Sequence, residues 1–294
     1  MKVSADCALC LFQRGYLEIL EATGDPKLRL KAIQALFRLL AENFRPSAVP
    51  AVIGTMREKM IKDVTGNPDP FAEKKRMSNT EALKVLPLAQ KIIARAPDAE
   101  SRFRKACLAA IVGNIIEFNI PGHEIEFSHL RALIKGAEED LVIDDVSEAY
   151  KTACDSRLIV YLTDNAGEIA FDTLLVKELK NLAEKGRVVV AVRDEPAQND
   201  ATMEDALCVS MDKVADSLVS LGAGCMGLIP SECSKEFMNL YNSADLVVSK
   251  GMGNAETLTE IRLKAPHLLL LRTKCMSVAN YFGVSRDKNV AKLI

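Results

Sequence analysis

Four short segments of this chain gather side chains that can do chemistry. They are Thr163-Asp164-Asn165-Ala-Gly-Glu168, Arg193-Asp194-Glu-Pro-Ala-Gln-Asn199-Asp200-Ala-Thr202, Lys250-Gly251-Met-Gly253-Asn254-Ala-Glu256 and Arg272-Thr-Lys274-Cys275. The first two offer carboxylate and amide oxygens with no histidine or thiolate among them. Such a donor set suits a hard divalent cation, magnesium or manganese, which keeps several waters and shares a substrate phosphate. Lys250 and Lys274 would then neutralise that phosphate. Gly251 and Gly253 let backbone N–H groups approach an anion closely. Each segment also has a plainer reading: Asp164 and Asn165 are good helix caps, and Asp200 is a good turn residue.

The thiols form a second candidate. Cys7-x-x-Cys10 supplies two ligands, whereas a closed zinc site wants four. Cys275 joins them only if the N-terminus folds over the site. A redox pair, a labile metal site and simple apolar packing all stay open. The three histidines, His123, His129 and His267, show no metal-ligand spacing. Eight scattered cysteines in a chain of 294 residues read as reduced, mostly buried thiols rather than a disulfide framework.

The elements that must position these residues change character along the chain. From Ser4 to about Tyr150 the apolar period is helical. A stripe of Leu28, Leu30, Ile33, Leu36, Phe37, Leu39 and Leu40 follows Pro26, a first-turn residue. Further helices are expected over about 48–64, 80–95 and 98–119, the last capped by Asp98. Short helices are expected around 128–138 and 144–150. The stretch Cys107–Ile116 is apolar nearly all round, which marks a central helix. After Arg157, short β-branched runs alternate with helical stretches. Strands are expected at Leu158–Leu162, Arg187–Val192, Met226–Ile229, Asp245–Ser249 and His267–Leu271. Strands separated by helices of ten or more residues imply parallel crossovers. The expected fold is therefore α/β: a helical bundle over residues 1–155 packed on a Rossmann-like three-layer domain over 156–294. The parallel sheet is expected only after about residue 155. All four chemical segments follow strands, and in an open parallel sheet ligands bind at the carboxyl ends of strands.

Composition narrows the function classes. At about 150 residues per domain, the length suggests two domains. Lys plus Arg is 38 and Asp plus Glu is 40, so the net charge is -2. That balance gives no case for nucleic acid or an anionic membrane. The longest uncharged run, Ser217–Ser231, is too short to span a bilayer and holds three glycines. With no secretory leader pattern at the N-terminus, a cytoplasmic location is expected.

Taken together, the motifs resemble the damage-control phosphatases, a metal-dependent family once listed as a domain of unknown function. The matching stretches are 164–172, 199–205, 250–256 and 272–275, with Gly113-Asn114-Ile-Ile-Glu117-Phe118 similar to the family's Asn-x-Ile-Asp-Phe helix motif. Cys7, Cys10 and Cys275 resemble those of its cysteine-bearing, largely prokaryotic subgroup. The resemblance implies one divalent ion (magnesium, manganese, nickel or cobalt) held by Asp164, Asn165 and Asp200, with Lys274 reaching the substrate phosphate. Asn114 and Glu117 would join Lys250, Gly251, Gly253 and Asn254 around the substrate, a small phosphorylated metabolite such as a sugar phosphate or damaged nucleotide. Glu117 stands where the family often has Asp, and Ala255 where an aromatic is common. Attack by a water activated by the ion is expected, with Asp164 as an alternative nucleophile. Haloacid-type phosphatases need a second acid two residues after theirs, and that position is Ala166. Two rival classes remain: a methyltransferase using S-adenosylmethionine or an NAD-dependent enzyme, and a non-catalytic thiol metal or redox module. The first wants a glycine-rich turn after the first strand, where this chain has Gly167 alone.

Overall fold

The computed structural model describes residues 1–113 and 127–294. Five helices open the chain: α1 (Ala5–Ala22), α2 (Pro26–Asn43), α3 (Pro50–Thr65), α4 (Ala72–Ala94) and α5 (Ala99–Gly113). Their starts follow local chemistry. Asp25 accepts the Lys27 N–H at 2.8 Å before Pro26, and Asp98 accepts the Ser101 N–H at 2.7 Å ahead of α5. Pro87 lies inside α4, which begins eight residues before its expected start. Then come α6 (Phe127–Glu139), β1 (Leu141–Asp144), α7 (Val146–Asp155) and β2 (Leu158–Leu162). The remainder alternates: α8 (Glu168–Leu182), β3 (Arg187–Val192), α9 (Met203–Cys208), β4 (Ser217–Ser220), α10 (Lys235–Asn242) and β5 (Leu246–Lys250). The chain ends with α11 (Gly251–Leu258), β6 (His267–Arg272), α12 (Met276–Phe282) and β7 (Asn289–Leu293).

The seven strands form one sheet in the order β1-β7-β6-β5-β2-β3-β4, parallel except where β7 runs against β6. The pleat sends alternate side chains to opposite faces. Ile159, Tyr161, Val188, Val190, Val248 and Leu270 pack with α5 and α8 in one core cluster. Leu158, Val160, Leu162, Val189, Val247 and Leu269 pack on the other face with α10–α12. Both faces are thus covered, as parallel sheets require. Helices α1–α3 enclose a smaller core of their own around Ile19, Leu36 and Ile61.

Two expectations are corrected. The sheet is not confined to residues after 155, because Leu141–Asp144 pairs in parallel with β7 at its edge. Met226–Ile229 is not a strand; the fourth strand is Ser217–Ser220, paired with β3. Gly227 explains the misreading. Its φ of 77° breaks an extended run, and a Cβ there would overlap the Gly253 carbonyl oxygen.

Candidate active site

Strand order decides where the site forms. From β2 the chain proceeds to β3 and β4 on one side, whereas β5 and β6 lie on the other. The crevice at such a switch point opens beyond the carboxyl ends of β2 and β5. Residues 163–167 follow β2, and Gly251 follows β5, in direct contact with them. A Cβ on Gly251 would overlap the Asp164 carboxylate, and its φ of 79° is a second reason for glycine.

The loop after β3 is stitched to the loop after β2. The Ala166 N–H donates to the Asn199 carbonyl at 2.8 Å, and the Ala201 N–H to the Asp164 carbonyl at 2.7 Å. Asn165 and Asp200 form an isolated β-bridge. Asp164, Asn165 and Asp200, thirty-odd residues apart in sequence, are thereby fixed as neighbours. Asn165 Nδ2 donates to Asp164 Oδ2 at 2.7 Å and to Glu168 Oε2 at 2.9 Å. Asp200 accepts from Arg193 Nε at 2.8 Å. Burial, then the Glu168 and Asp200 charges, push the Asp164 carboxyl well above the usual range, with Lys250 and Lys274 opposing. Burial pushes Asp200 up to about 6 against the pull of Arg193. Two neighbouring anions out of water are costly unless a cation lies close to both.

Asp164, Asn165 and Asp200 line one cavity of about 280 Å³, and Lys274, Gly253, Cys7, Cys10 and Cys275 share it. Partial desolvation in the cavity wall lowers the Lys274 ammonium, while Glu168 and Asp164 act to raise it. Lys250 departs from its expected place. It is fully buried and does not line the cavity. Its Nζ donates to Asp172 Oδ1 at 2.7 Å, to the Ala110 carbonyl at 3.0 Å and to Glu168. Burial therefore comes with two anionic partners, and Lys250 supports the site from behind. Asn254 is also buried, with Nδ2 donating to the Thr163 carbonyl at 3.2 Å and the Lys250 carbonyl at 2.9 Å. It ties the loops after β2 and β5 together. Asn114 and Glu117 lie outside the described residues.

The thiols come to the same cavity by the N-terminus folding over it. Cys7 Sγ contacts Ser277 Oγ at 3.3 Å and accepts the Ser4 N–H at 3.4 Å. Cys275 caps α12 by accepting the Val278 N–H at 3.5 Å. All eight cysteines are free. Among the described residues, no three His, Cys, Asp or Glu side chains are grouped to hold a metal ion.

Sequence reasoning missed several groups. Arg193, the first residue after β3, holds Asp200. Arg57, Glu18 and Gln198 sit beside the cavity, where Gln198 Nε2 donates to Glu18 Oε2 at 2.9 Å. Gln198 stands next to Asn199 and Asp200 in the loop after β3. Nothing in the helical period distinguished Arg57 from a solvated residue.

Fold and site together define an α/β protein with a cavity beyond the carboxyl ends of β2 and β5, built from loops rather than from a glycine-rich nucleotide turn. The chain belongs to the damage-control phosphatase ARMT1-like domain family, whose model matches residues 3–290. It is 38% identical over 295 residues to a damage-control phosphatase of Archaeoglobus fulgidus, covering 100% of both chains. It is 31% identical to a damage-control phosphatase of Pyrococcus horikoshii, covering 97% of this chain and 96% of that one. The crystal structure of a DUF89 family protein from Pyrococcus horikoshii superposes with a TM-score of 0.87 at 31% identity, over 99% of this chain and 98% of that chain.

Proposed function

We propose that this protein is a divalent-metal-dependent phosphatase acting on small phosphomonoesters in metabolite damage control. The observation that carries the reading is the pairing of Asp164 and Asp200 beside Asn165 in a cavity that also holds Lys274. Family membership and the phosphatase relatives support it. The donor set fits a hard cation: two carboxylates and an amide oxygen, with no imidazole. Asp164, Asn165 and Asp200 would hold the ion. When bound, it supplies Lewis-acid polarisation of a phosphoryl oxygen and lowers the pKa of water.

The protein's own groups do the rest. Lys274 offers its ammonium to the phosphoryl oxygens, whose charge rises in a loose transition state. Arg193 and Asn254 fix the loops that carry Asp200 and Asp164. Glu168, held by Lys250, accepts from the Asn165 amide and sets its orientation. Ala166 leaves no acid two residues beyond Asp164, which favours attack by water over a covalent aspartyl route. The 280 Å³ cavity suits a sugar-phosphate-sized ligand.

The test is hydrolysis of p-nitrophenyl phosphate by the purified protein with and without manganese or magnesium. Turnover that requires the cation and disappears in Asp164→Ala is expected. Turnover indifferent to chelator, or retained at the wild-type rate in Asp164→Ala, overturns the reading.

A further inference from the structure

The helical wall of the cavity carries an arginine that the phosphate site does not use. Arg57 lies on α3, is 1% exposed and lines the cavity. Its Nη1 donates to the Leu11 carbonyl at 3.3 Å, and its Nε lies 3.4 Å from Glu18 Oε2. Nε and Nη2 have no hydrogen-bond partner among the described residues. Buried N–H groups of a guanidinium are almost always paired, because an unpaired one forfeits its hydration without return. The site is built for this side chain. Gly15 on α1 faces it, and a Cβ there would come within 2.7 Å of Arg57 Cδ.

Glu18 does not use up the Arg57 charge. Glu18 also receives Gln198 Nε2, and its Oε1 is itself without a partner. A second arginine, Arg14, lines the same cavity from the exposed side of α1. Its charge acts on both Arg57 and Lys274. Cationic groups thus stand on two walls of different origin: Lys274 after β6, and Arg57 with Arg14 on α3 and α1. Asp6 and Glu256 are further acidic residues of the lining and set a limit on how much negative charge the cavity accepts. A guanidinium pairs best with a planar or tetrahedral oxyanion.

We infer that Arg57 and Arg14 form a second anion subsite, so that the substrate is a phosphomonoester carrying another anionic group, a carboxylate or a second phosphate. This rests on the phosphatase reading above and narrows its substrate class. Lys274 and the Asp164 region take the phosphate to be cleaved. Arg57 on the helical wall attracts the distal oxyanion by its charge, and Arg14 pairs with it from the rim. Substrates with one charged end forgo that attraction, and discrimination follows from the loss.

The experiment compares alkyl phosphates of three to five carbons with the same compounds bearing a terminal carboxylate or a second terminal phosphate. kcat/KM at least ten-fold higher is expected for the two-anion compounds at the spacer that fits. The carboxylate and phosphate arms show which oxyanion is preferred. In Arg57→Gln and in Arg14→Gln the ratio should fall toward one, chiefly through KM, and Arg57→Lys should recover only part of it. Arg14 is exposed, so its variant keeps the test informative if Arg57→Gln fails to fold. The matching non-hydrolysable phosphonates, titrated calorimetrically, give the same comparison without turnover. Cation-dependent hydrolysis of p-nitrophenyl phosphate by the wild type separates the two readings: its absence removes the phosphatase reading and leaves the subsite to calorimetry. A ratio near one at every spacer in both assays, or a ratio unchanged in both glutamine variants, overturns the inference.

Discussion

Replacing Asp164 with alanine removes a buried carboxylate whose proton affinity the Glu168 and Asp200 charges raise. Calorimetric titration with manganese should show binding lost in Asp164→Ala, together with turnover of p-nitrophenyl phosphate. The metal-free variant should melt no lower than the wild type, because a repulsion between buried anions has gone. Lys274→Ala separates the two functions. Cation binding should persist while KM for p-nitrophenyl phosphate rises about ten-fold or more, the order expected for one charge-assisted hydrogen bond to an oxyanion. Gly251 is a sharper case, since it combines a left-handed φ with contact against Asp164. Gly251→Ala should cost roughly 1–3 kcal/mol from backbone strain alone. It should also displace the Asp164 carboxylate, so denaturant melts and cation titrations should both register it.

At the scale of elements, the α5–α8 face is where the sheet, the helical half and the site meet. Lys250 ends β5 and reaches Asp172 and Glu168 on α8 and the Ala110 carbonyl on α5. Tyr161 of β2 adds a hydrogen bond to the same Asp172 Oδ1 at 2.7 Å. Lys250→Met would leave two buried carboxylates without their cation. Breaking a buried pair from one side typically costs about 3–5 kcal/mol, and urea denaturation should show a loss of that order. A mutation of a cavity-facing phosphate ligand would not carry such a penalty, so this measurement distinguishes the supporting role of Lys250 from direct substrate binding. The strand pattern was legible only in part at this scale. Central strands such as Arg187–Val192 and His267–Arg272 are apolar on both faces and read plainly as buried strands. β1 and β4 are four-residue edge strands with half-exposed side chains, and neither stands out from a loop or helix end.

For the whole molecule, the cluster beneath the helical wall sets a pH dependence. Burial, opposed by Arg57, raises the Glu18 carboxyl to about 7 from its ordinary 4.5. Between those values the folded protein holds a proton that the unfolded chain has released. The stability from Glu18 is therefore fully present below about pH 4.5 and is lost as pH rises through about 7. At about 1.4 kcal/mol per pH unit, the change is roughly 3 kcal/mol. Metal-free wild type should lose stability relative to Glu18→Gln as pH rises from 5 to 8, measured by thermal or urea melts in parallel. Equal slopes for the two proteins would show that Glu18 ionises normally. Among the described residues, no helix is long and apolar enough to cross a membrane.

The sequence by itself determined the alternation of strand and helix and the α/β class, and it marked the segments Asp164–Glu168, Asn199–Asp200 and Arg272–Cys275 as candidate places for chemistry. Those features depend on local information: side-chain period, caps, and donor types clustered within a few residues. Tertiary structure alone decided that Lys250 points inward. Whether a lysine at a strand end meets solvent or two carboxylates depends on α5 and α8, which come from distant parts of the chain. Tertiary structure also brought Cys7, Arg14 and Arg57 to the cavity, because helix packing places α1 and α3 over the sheet edge and no local pattern encodes that approach. Met226–Ile229 shows the same limit from the other side. Its apolarity matches a strand, yet its backbone is bent at Gly227 to lie against Gly253, a contact made only once β5 and α11 are in place.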